Sequence, residues 1–294
     1  MRPLITLTTD FGLDDPFVGI MKGVILNIEP NAHIVDITHN IEPQNIMQAA
    51  RVVSATYPWF PRKTIHIVVV DPGVGGTDFS NSAKTKTTAT KNKGNITRLS
   101  PITAGRGPVG KRPIVVQSQF QTFIGPDNGV LTSALDPKAR AYELSNQKYF
   151  LKNISNTFHG RDLFAPAAAW VAKGIAASKM GPRILKATRL ILPEAIQENE
   201  SLKGEIIYID RFGNATTNIS EELIDETFES SDTISIRFGK EELEGLVTGY
   251  YQVNLGKPGA ILNSWGQVEI FCREANAAKK LKLKLGQPVT LKAK

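Results

Sequence analysis

Three short apolar runs, Leu4 to Thr8, Ile34 to Ile37 and Ile65 to Val70, alternate with two stretches whose apolar residues recur at helical spacing. In the first stretch Phe17, Ile20, Met21, Val24 and Ile28 share one face behind Asp14-Asp15-Pro16, which offers an N-cap carboxylate and a proline for the first turn. In the second, Gln44 to Tyr57, Ile46, Ala49, Ala50 and Val53 do the same. The β-branched run at Ile65 to Val70 reads as a strand covered on both sides. A strand-helix-strand-helix-strand order of this kind predicts an α/β fold built on a parallel sheet with right-handed crossovers.

Two of these strands end in a carboxylate and a glycine-bearing turn: Thr9-Asp10-Phe11-Gly12, and Val70-Asp71-Pro72-Gly73-Val74-Gly75. Asp, Pro and Gly are common turn formers, so each could be structural. In open α/β sheets, however, the crevice beyond the carboxyl ends of the strands is where ligands bind, and a carboxylate there reaches a ligand without being buried in the sheet.

Beyond Asp71 the pattern breaks. Thr77 to Gly110 is rich in Thr, Lys, Asn, Ser and Gly and nearly free of apolar residues before Ile96, as expected of a surface insertion. Strand signals return at Pro113 to Val116 and Thr122 to Gly125, and Pro126-Asp127-Asn128-Gly129 reads as a structural turn. After Leu192-Pro193-Glu194, short alternating runs take over at 204–209, 233–238, 259–262, 267–271 and 288–291. That spacing suggests a small β-barrel or sandwich. The chain therefore divides into an α/β domain, 1–195, carrying the polar insertion at about 77–110, and a C-terminal β-barrel domain, 196–294.

A chain of 294 residues can bury cores of this size without cross-links, and Cys272 has no second cysteine to pair with. With no apolar leader at Met1 and no run near the ~20 residues a membrane span needs, a cytoplasmic protein without membrane contact is expected. The net charge of +7 is concentrated in the insertion and at Lys279, Lys280, Lys282 and Lys284. No aromatic-interleaved basic motif accompanies it, so no nucleic-acid partner is expected.

Further polar segments exceed what a core requires. Asn156-Thr157-Phe158-His159-Gly160-Arg161-Asp162 precedes an apolar helix, where backbone N–H groups favour an electron-rich atom. His159 could be a general base or a loop anchor there, whereas His33, His39 and His66 lie in or beside strands and read as structural. Asp210-Arg211-Phe212-Gly213-Asn214 and Asn263-Ser264-Trp265-Gly266-Gln267-Val268-Glu269 combine polar groups with an aromatic, and either could also be a polar hairpin. Dinucleotide and triphosphate loops are lacking, and no Cys/His set has zinc spacing.

Five blocks in this order, Thr9 to Gly12, Val70 to Gly75, Gly125 to Gly129, Thr157 to Asp162 and Asp210 to Asn214, resemble the S-adenosyl-L-methionine (SAM) hydroxide adenosyltransferases, relatives of fluorinating and chlorinating enzymes. The resemblance implies hydrolysis of SAM to adenosine and L-methionine by water or hydroxide at the ribose C5′. It implies no cofactor and no metal, and a homotrimer with sites between subunits. Asp10 would hold the ribose hydroxyls. Asn214 would bond the adenine edge, with Tyr250 or Phe212 on its face and the Asn276-Ala277 backbone alongside. Asp210 would meet the methionine ammonium and Ser264 its carboxylate, with Glu269 in the same binding segment. Asp71 and His159 match two of the three water-handling residues. The arginine of that triad has no match directly after Gly75, and Arg112, or Lys111 in its stead, is the candidate where the pattern resumes. Gly160 stands where fluorinating relatives carry a hydroxyl residue for halide.

Three alternatives differ in their chemistry. A chlorinase-like SAM transferase would use halide and need no base. A phosphohydrolase would gather Mg²⁺ on Asp10, Asp14, Asp15 and Asp71. A non-catalytic SAM- or adenosine-binding protein would lack the arginine.

Overall fold

The structure, a computed structural model, describes residues 2–74, 112–228 and 234–293. The polar insertion, Lys111 and the first residue of the run expected at 233–238 lie outside them. The chain forms two compact units, Met1–Leu190 and Ile191–Lys294.

In the first unit β1 (Leu4–Thr9), α1 (Phe17–Ile28), β2 (His33–Thr38), α2 (Ile46–Thr56) and β3 (Ile65–Val69) follow one another as the hydrophobic periods require. β4 (Pro113–Gln117) and β5 (Thr122–Pro126) come next, then β6 (Arg140–Glu143), α3 (Ala165–Ala172) and β7 (Arg183–Ile184). Among the described residues the sheet order is β2-β1-β3-β5-β4-β6-β7. Parallel pairing holds across β2, β1, β3 and β5, and from β4 outward the strands are antiparallel, so the sheet is mixed. The change of direction has a local cause: the short turn 118–121 joins β4 to β5 as a hairpin and leaves no room for a crossover helix.

All of β3 is buried, and Met21, Ile25 and Phe164 pack against Ile5, Leu7, Ile67 and Val69 in one core. His66 is buried on the opposite face of the sheet, its Nδ1 2.8 Å from Thr6 Oγ1 and its ring stacked on Phe123, and burial pushes its pKa down to about 4. Helix α1 starts without the expected carboxylate cap. Its N-cap position is Pro16, whose carbonyl accepts from Ile20 N–H at 2.9 Å, so proline's preset φ begins the helix and Asp14 and Asp15 stay exposed before it. α2 starts two residues after the expected Gln44, because Gln44 takes φ +66° and Asn45 caps the helix by accepting from Gln48 N–H at 2.9 Å.

The second unit contains β8 (Ile196–Glu198), β9 (Ser201–Ile209), β10 (Ala215–Ser220), α4 (Glu221–Thr227), β11 (Ile234–Phe238), β12 (Glu241–Glu244), β13 (Pro258–Leu262), β14 (Gln267–Cys272), α5 (Ala277–Lys280) and β15 (Pro288–Ala293). Its sheet runs β12-β11-β15-β9-β10-β14-β13, with β8 on β9. A bridge from Val247 to Ile261 brings the chain after β12 back to β13, so the sheet nearly closes into a barrel around Leu202, Ile206, Ile236, Phe238, Val268 and Leu291. No helix among the described residues is long and apolar enough to cross a membrane.

Candidate active site

Because β1 and β3 are neighbours in register, with Thr9 opposite Val69, Asp10 and Asp71 emerge side by side beyond the carboxyl ends of two central strands. Gln44 N–H donates to Asp10 Oδ2 at 2.8 Å, and Gly12, at φ +69°, lets the chain turn so that its N–H reaches His39 O at 2.8 Å. Burial raises the pKa of Asp10 against that hydrogen bond. Burial also pushes Asp71 up to about 6, opposed by the Gly73 N–H it accepts at 3.2 Å and aided by the charge of Asp10. A carboxyl that titrates near neutrality can accept a proton from water at physiological pH.

The end of β3 is pinned from β5. Asn128 Nδ2 donates to Val70 O at 2.8 Å, and its Oδ1 accepts from Val130 N–H at 3.1 Å. Asp127 is buried and accepts from Thr188 N–H at 2.6 Å and from Arg112 Nε at 3.1 Å. Arg112 also donates through Nη2 to Lys186 O at 3.1 Å. The expected structural turn is therefore a clamp, and Arg112 is engaged with it. Among the described residues, the hydrogen bonds of Arg112 run to Asp127 and to Lys186.

His159 occupies the N-cap position of a π-helical turn, Gly160–Phe164, that leads into α3. It is buried, which pushes its pKa down while the charge of Asp162 works the other way. Phe158 meets Phe11 edge to face at 5.9 Å and Phe17 at 5.2 Å, which brings this segment beside the turn that carries Asp10. Arg161 and Asp162 have a structural part: Arg161 Nε lies 2.6 Å from Asp162 Oδ1, and Asp162 Oδ2 accepts from Ser155 N–H at 2.8 Å.

The second unit holds a cavity of about 810 Å³ lined by Asp210, Phe212, Asn214, Tyr250, Asn276 and several residues that follow β14. Asp210 to Asn214 is a tight turn between β9 and β10. Asp210 Oδ1 accepts from Asn214 N–H at 2.8 Å, and Gly213, at φ +87°, lies so close to Asn276 that an added Cβ would stand 2.2 Å from its side chain. Phe212 projects outward, 76% exposed. Asn276 caps α5 by accepting from Lys279 N–H at 2.7 Å, and Ala277 behind it is fully buried.

Tyr250 meets Phe271 edge to face at 4.7 Å and donates to Glu269 Oε1 at 2.8 Å. Burial and this carboxylate push its hydroxyl up to about 12. Glu269 sits behind Tyr250 and is not among the lining residues, and burial raises its pKa. Ser264 is exposed at the tip of the β13–β14 turn and is not one of the residues that line the cavity. Sequence reasoning passed over Tyr251 and Arg273, which line the same cavity. Arg273 Nη1 donates to the carbonyls of Tyr251 and Val253, each at 3.0 Å, a role with no sequence signal because it joins side chain to backbone across a loop. Among the described residues no group of three or more His, Cys, Asp or Glu side chains is gathered as a metal site would require.

Similar proteins match both units. The N-terminal domain model of the SAM hydroxide adenosyltransferases matches residues 5–90 and 102–181, and the C-terminal domain model matches 204–290. A protein of Thermus thermophilus named (R)-S-adenosyl-L-methionine hydrolase is 32% identical over 99% of this chain and 100% of its own length. A fluorinase of Nocardia brasiliensis is 29% identical over 74% of this chain and 71% of its own. A crystal structure titled as an uncharacterized conserved protein from Thermotoga maritima superposes with a TM-score of 0.81 at 32% identity, over 98% of this chain and 99% of that one. With paired carboxylates beyond the strand ends in one unit, an acidic aromatic-walled cavity in the other, and these matches across both, the chain belongs to the SAM hydroxide adenosyltransferase family.

Proposed function

We propose that this protein hydrolyses SAM to adenosine and L-methionine. Water attacks the ribose C5′, the C5′–S bond breaks, and the electron pair leaves with sulfur as a neutral thioether. No acid is needed at the leaving group, so the protein's task is to take a proton from water and hold the sulfonium in line. Asp71, with a pKa of about 6, is the proton acceptor, and His159, held neutral by burial, orients the water. Asp10 takes the ribose hydroxyls. In the cavity Asn214 and the Asn276-Ala277 backbone meet adenine, Phe212 and Tyr250 flank it, and Asp210 binds the methionine ammonium. Ser264 takes the methionine carboxylate. Attack of hydroxide on a cation annihilates charge, which a site poor in water favours.

The observation that carries the reading is the match to the Thermus hydrolase, which spans both units and so every residue invoked. Arg112 completes the triad in this proposal, although its pairing with Asp127 reduces the charge it can lend. The assembly is a cytoplasmic homotrimer in which a neighbouring subunit completes each site. Leu13 and Phe17 near Asp10, and Phe212 and Tyr251 at the cavity, are exposed apolar groups of the kind a neighbouring copy covers.

The test is to incubate EDTA-treated protein with SAM, with and without chloride, and to separate the products by chromatography. Adenosine and methionine in both samples are expected. A chlorinated deoxyadenosine would move the protein to the halogenating branch, dependence on Mg²⁺ to phosphohydrolase chemistry, and unchanged SAM to a binding role. Arg112→Ala with wild-type turnover would remove that residue from the triad.

A further inference from the structure

Glu269 is a carboxylate in the middle of a barrel strand. Its β14 neighbours Val268 and Ile270 belong to the barrel core, while Glu269 and Phe271 share the opposite face, and Phe271 lines the cavity. Only 6% of Glu269 is exposed. Burying a charge in such a place is costly unless it is bonded, and here it is bonded twice: by the Tyr250 hydroxyl at 2.8 Å and by Asn263 Nδ2 at 3.3 Å. Asn263 is itself fixed, since its Nδ2 also lies 3.1 Å from Thr216 Oγ1 and its Oδ1 accepts from Trp265 N–H at 2.9 Å.

The other end of this network is a loop. Tyr250 opens a one-turn 3-10 helix, Tyr250–Gln252, outside the barrel sheet. Among the described residues, side-chain hydrogen bonds hold that loop at three points: Gln252 Oε1 accepts from Thr248 N–H at 2.8 Å, Arg273 donates to the Tyr251 and Val253 carbonyls, and Glu269 accepts from the Tyr250 hydroxyl. Of these hydrogen bonds, the last alone reaches the side chain of an aromatic residue that lines the cavity, and it acts together with the edge-to-face contact of Tyr250 on Phe271.

We propose that Glu269 is a positioning residue, holding Tyr250 as a rigid wall of the nucleoside pocket without touching substrate itself. The inference rests on the SAM reading and changes one part of it, since the carboxylate that the resemblance places in the binding segment acts through a tyrosine. Its place on the strand gives it a fixed base, and the phenol transmits that rigidity to the cavity. Ligands that carry adenosine then depend on Glu269 whether or not they carry a positive charge.

The test is calorimetric binding of adenosine and of SAM, alongside steady-state kinetics, for Tyr250→Phe, Glu269→Gln, Glu269→Ala and the double variant Tyr250→Phe/Glu269→Ala. Loss of a charge-assisted hydrogen bond should weaken binding about tenfold. Tyr250→Phe and Glu269→Ala should each weaken adenosine and SAM by that same factor, raising KM with kcat little changed. The double variant should be no worse than either single one. Glu269→Gln keeps an acceptor for the phenol and should recover most of the loss. If Glu269 met the cationic part of SAM directly, its replacement by Gln or Ala would weaken SAM alone and Tyr250→Phe would be harmless, which would overturn the proposal. Wild-type protein that bound neither ligand would refute the SAM reading and this inference with it, whereas wild-type binding with the second pattern would refute this inference alone.

Discussion

Asp71 must carry a charge in a place that penalises charge. Its pKa stands at about 6 because burial and the neighbouring Asp10 outweigh the Gly73 hydrogen bond. As a base it works only when ionised, so kcat/KM should rise with pH through about 6 and level off above it. For stability the sign is opposite. The fold binds this proton more tightly than the unfolded chain does, so the favourable contribution is complete below the ordinary carboxylate pKa of 3.8 and is lost as pH rises through about 6. Asp71→Asn keeps the acceptor for Gly73 N–H and removes the charge. It should lower turnover by about a hundredfold or more while leaving adenosine affinity within a few-fold. It should also raise unfolding stability at pH 8 by on the order of 2 kcal/mol, a gain that shrinks toward pH 5. Thermal melts at the two pH values, with product chromatography, check both halves; equal loss of turnover and binding would make Asp71 structural. At this scale Asp10 and Asp71 were legible in sequence because each stands where an apolar run meets a turn. The pairing of Arg112 with Asp127 was not, because two residues on facing strand ends become partners only once β4 folds back on β5.

The elements were legible wherever burial imposes a period. The uninterrupted run of β3 and the inner face of α2 emerge as read, whereas α1 is rotated from its expected face: it buries Val18, Met21 and Ile25 and leaves Phe17 and Ile20 exposed. β10 was hidden because Thr216, Thr217 and Asn218 make a strand look like a polar loop, although both threonines are buried in the barrel sheet. The parallel-to-antiparallel change at β4 could not be seen either, since strand signals carry no direction. The turn between β9 and β10 leads to a prediction about an element. Gly213 combines φ +87° with a Cβ position already filled by Asn276, and Ala278 N–H donates to the Gly213 carbonyl at 2.8 Å, so this turn and the start of α5 are seated on each other. Gly213→Ala should cost roughly 1–3 kcal/mol in denaturant unfolding and weaken SAM binding, because Asp210 and Asn214 move with the turn. Unchanged melting and unchanged affinity would show that the turn relaxes freely.

At the scale of the whole molecule, the proposed assembly makes activity a property of several chains. Light scattering on the eluting peak should give about three times the 32.1 kDa of one chain. Leu13→Asp, at a residue 66% exposed near the Asp10 turn, should dissociate the assembly and abolish turnover while each chain keeps its fold by circular dichroism. An active monomer would overturn the shared-site arrangement. Gly160, finally, bears on how two segments of the site are held together. A Cβ there would stand 3.1 Å from Met21 Sδ, 3.1 Å from Phe158 Cε2 and 3.3 Å from Phe11 Cε2, all tighter than ordinary contact. A larger residue at this position therefore requires Met21, Phe158 and Phe11 to give by a few tenths of an ångström. The small residue beside His159 is thus part of the packing that ties this turn to the Asp10 loop, and changing its side chain would move the two segments together.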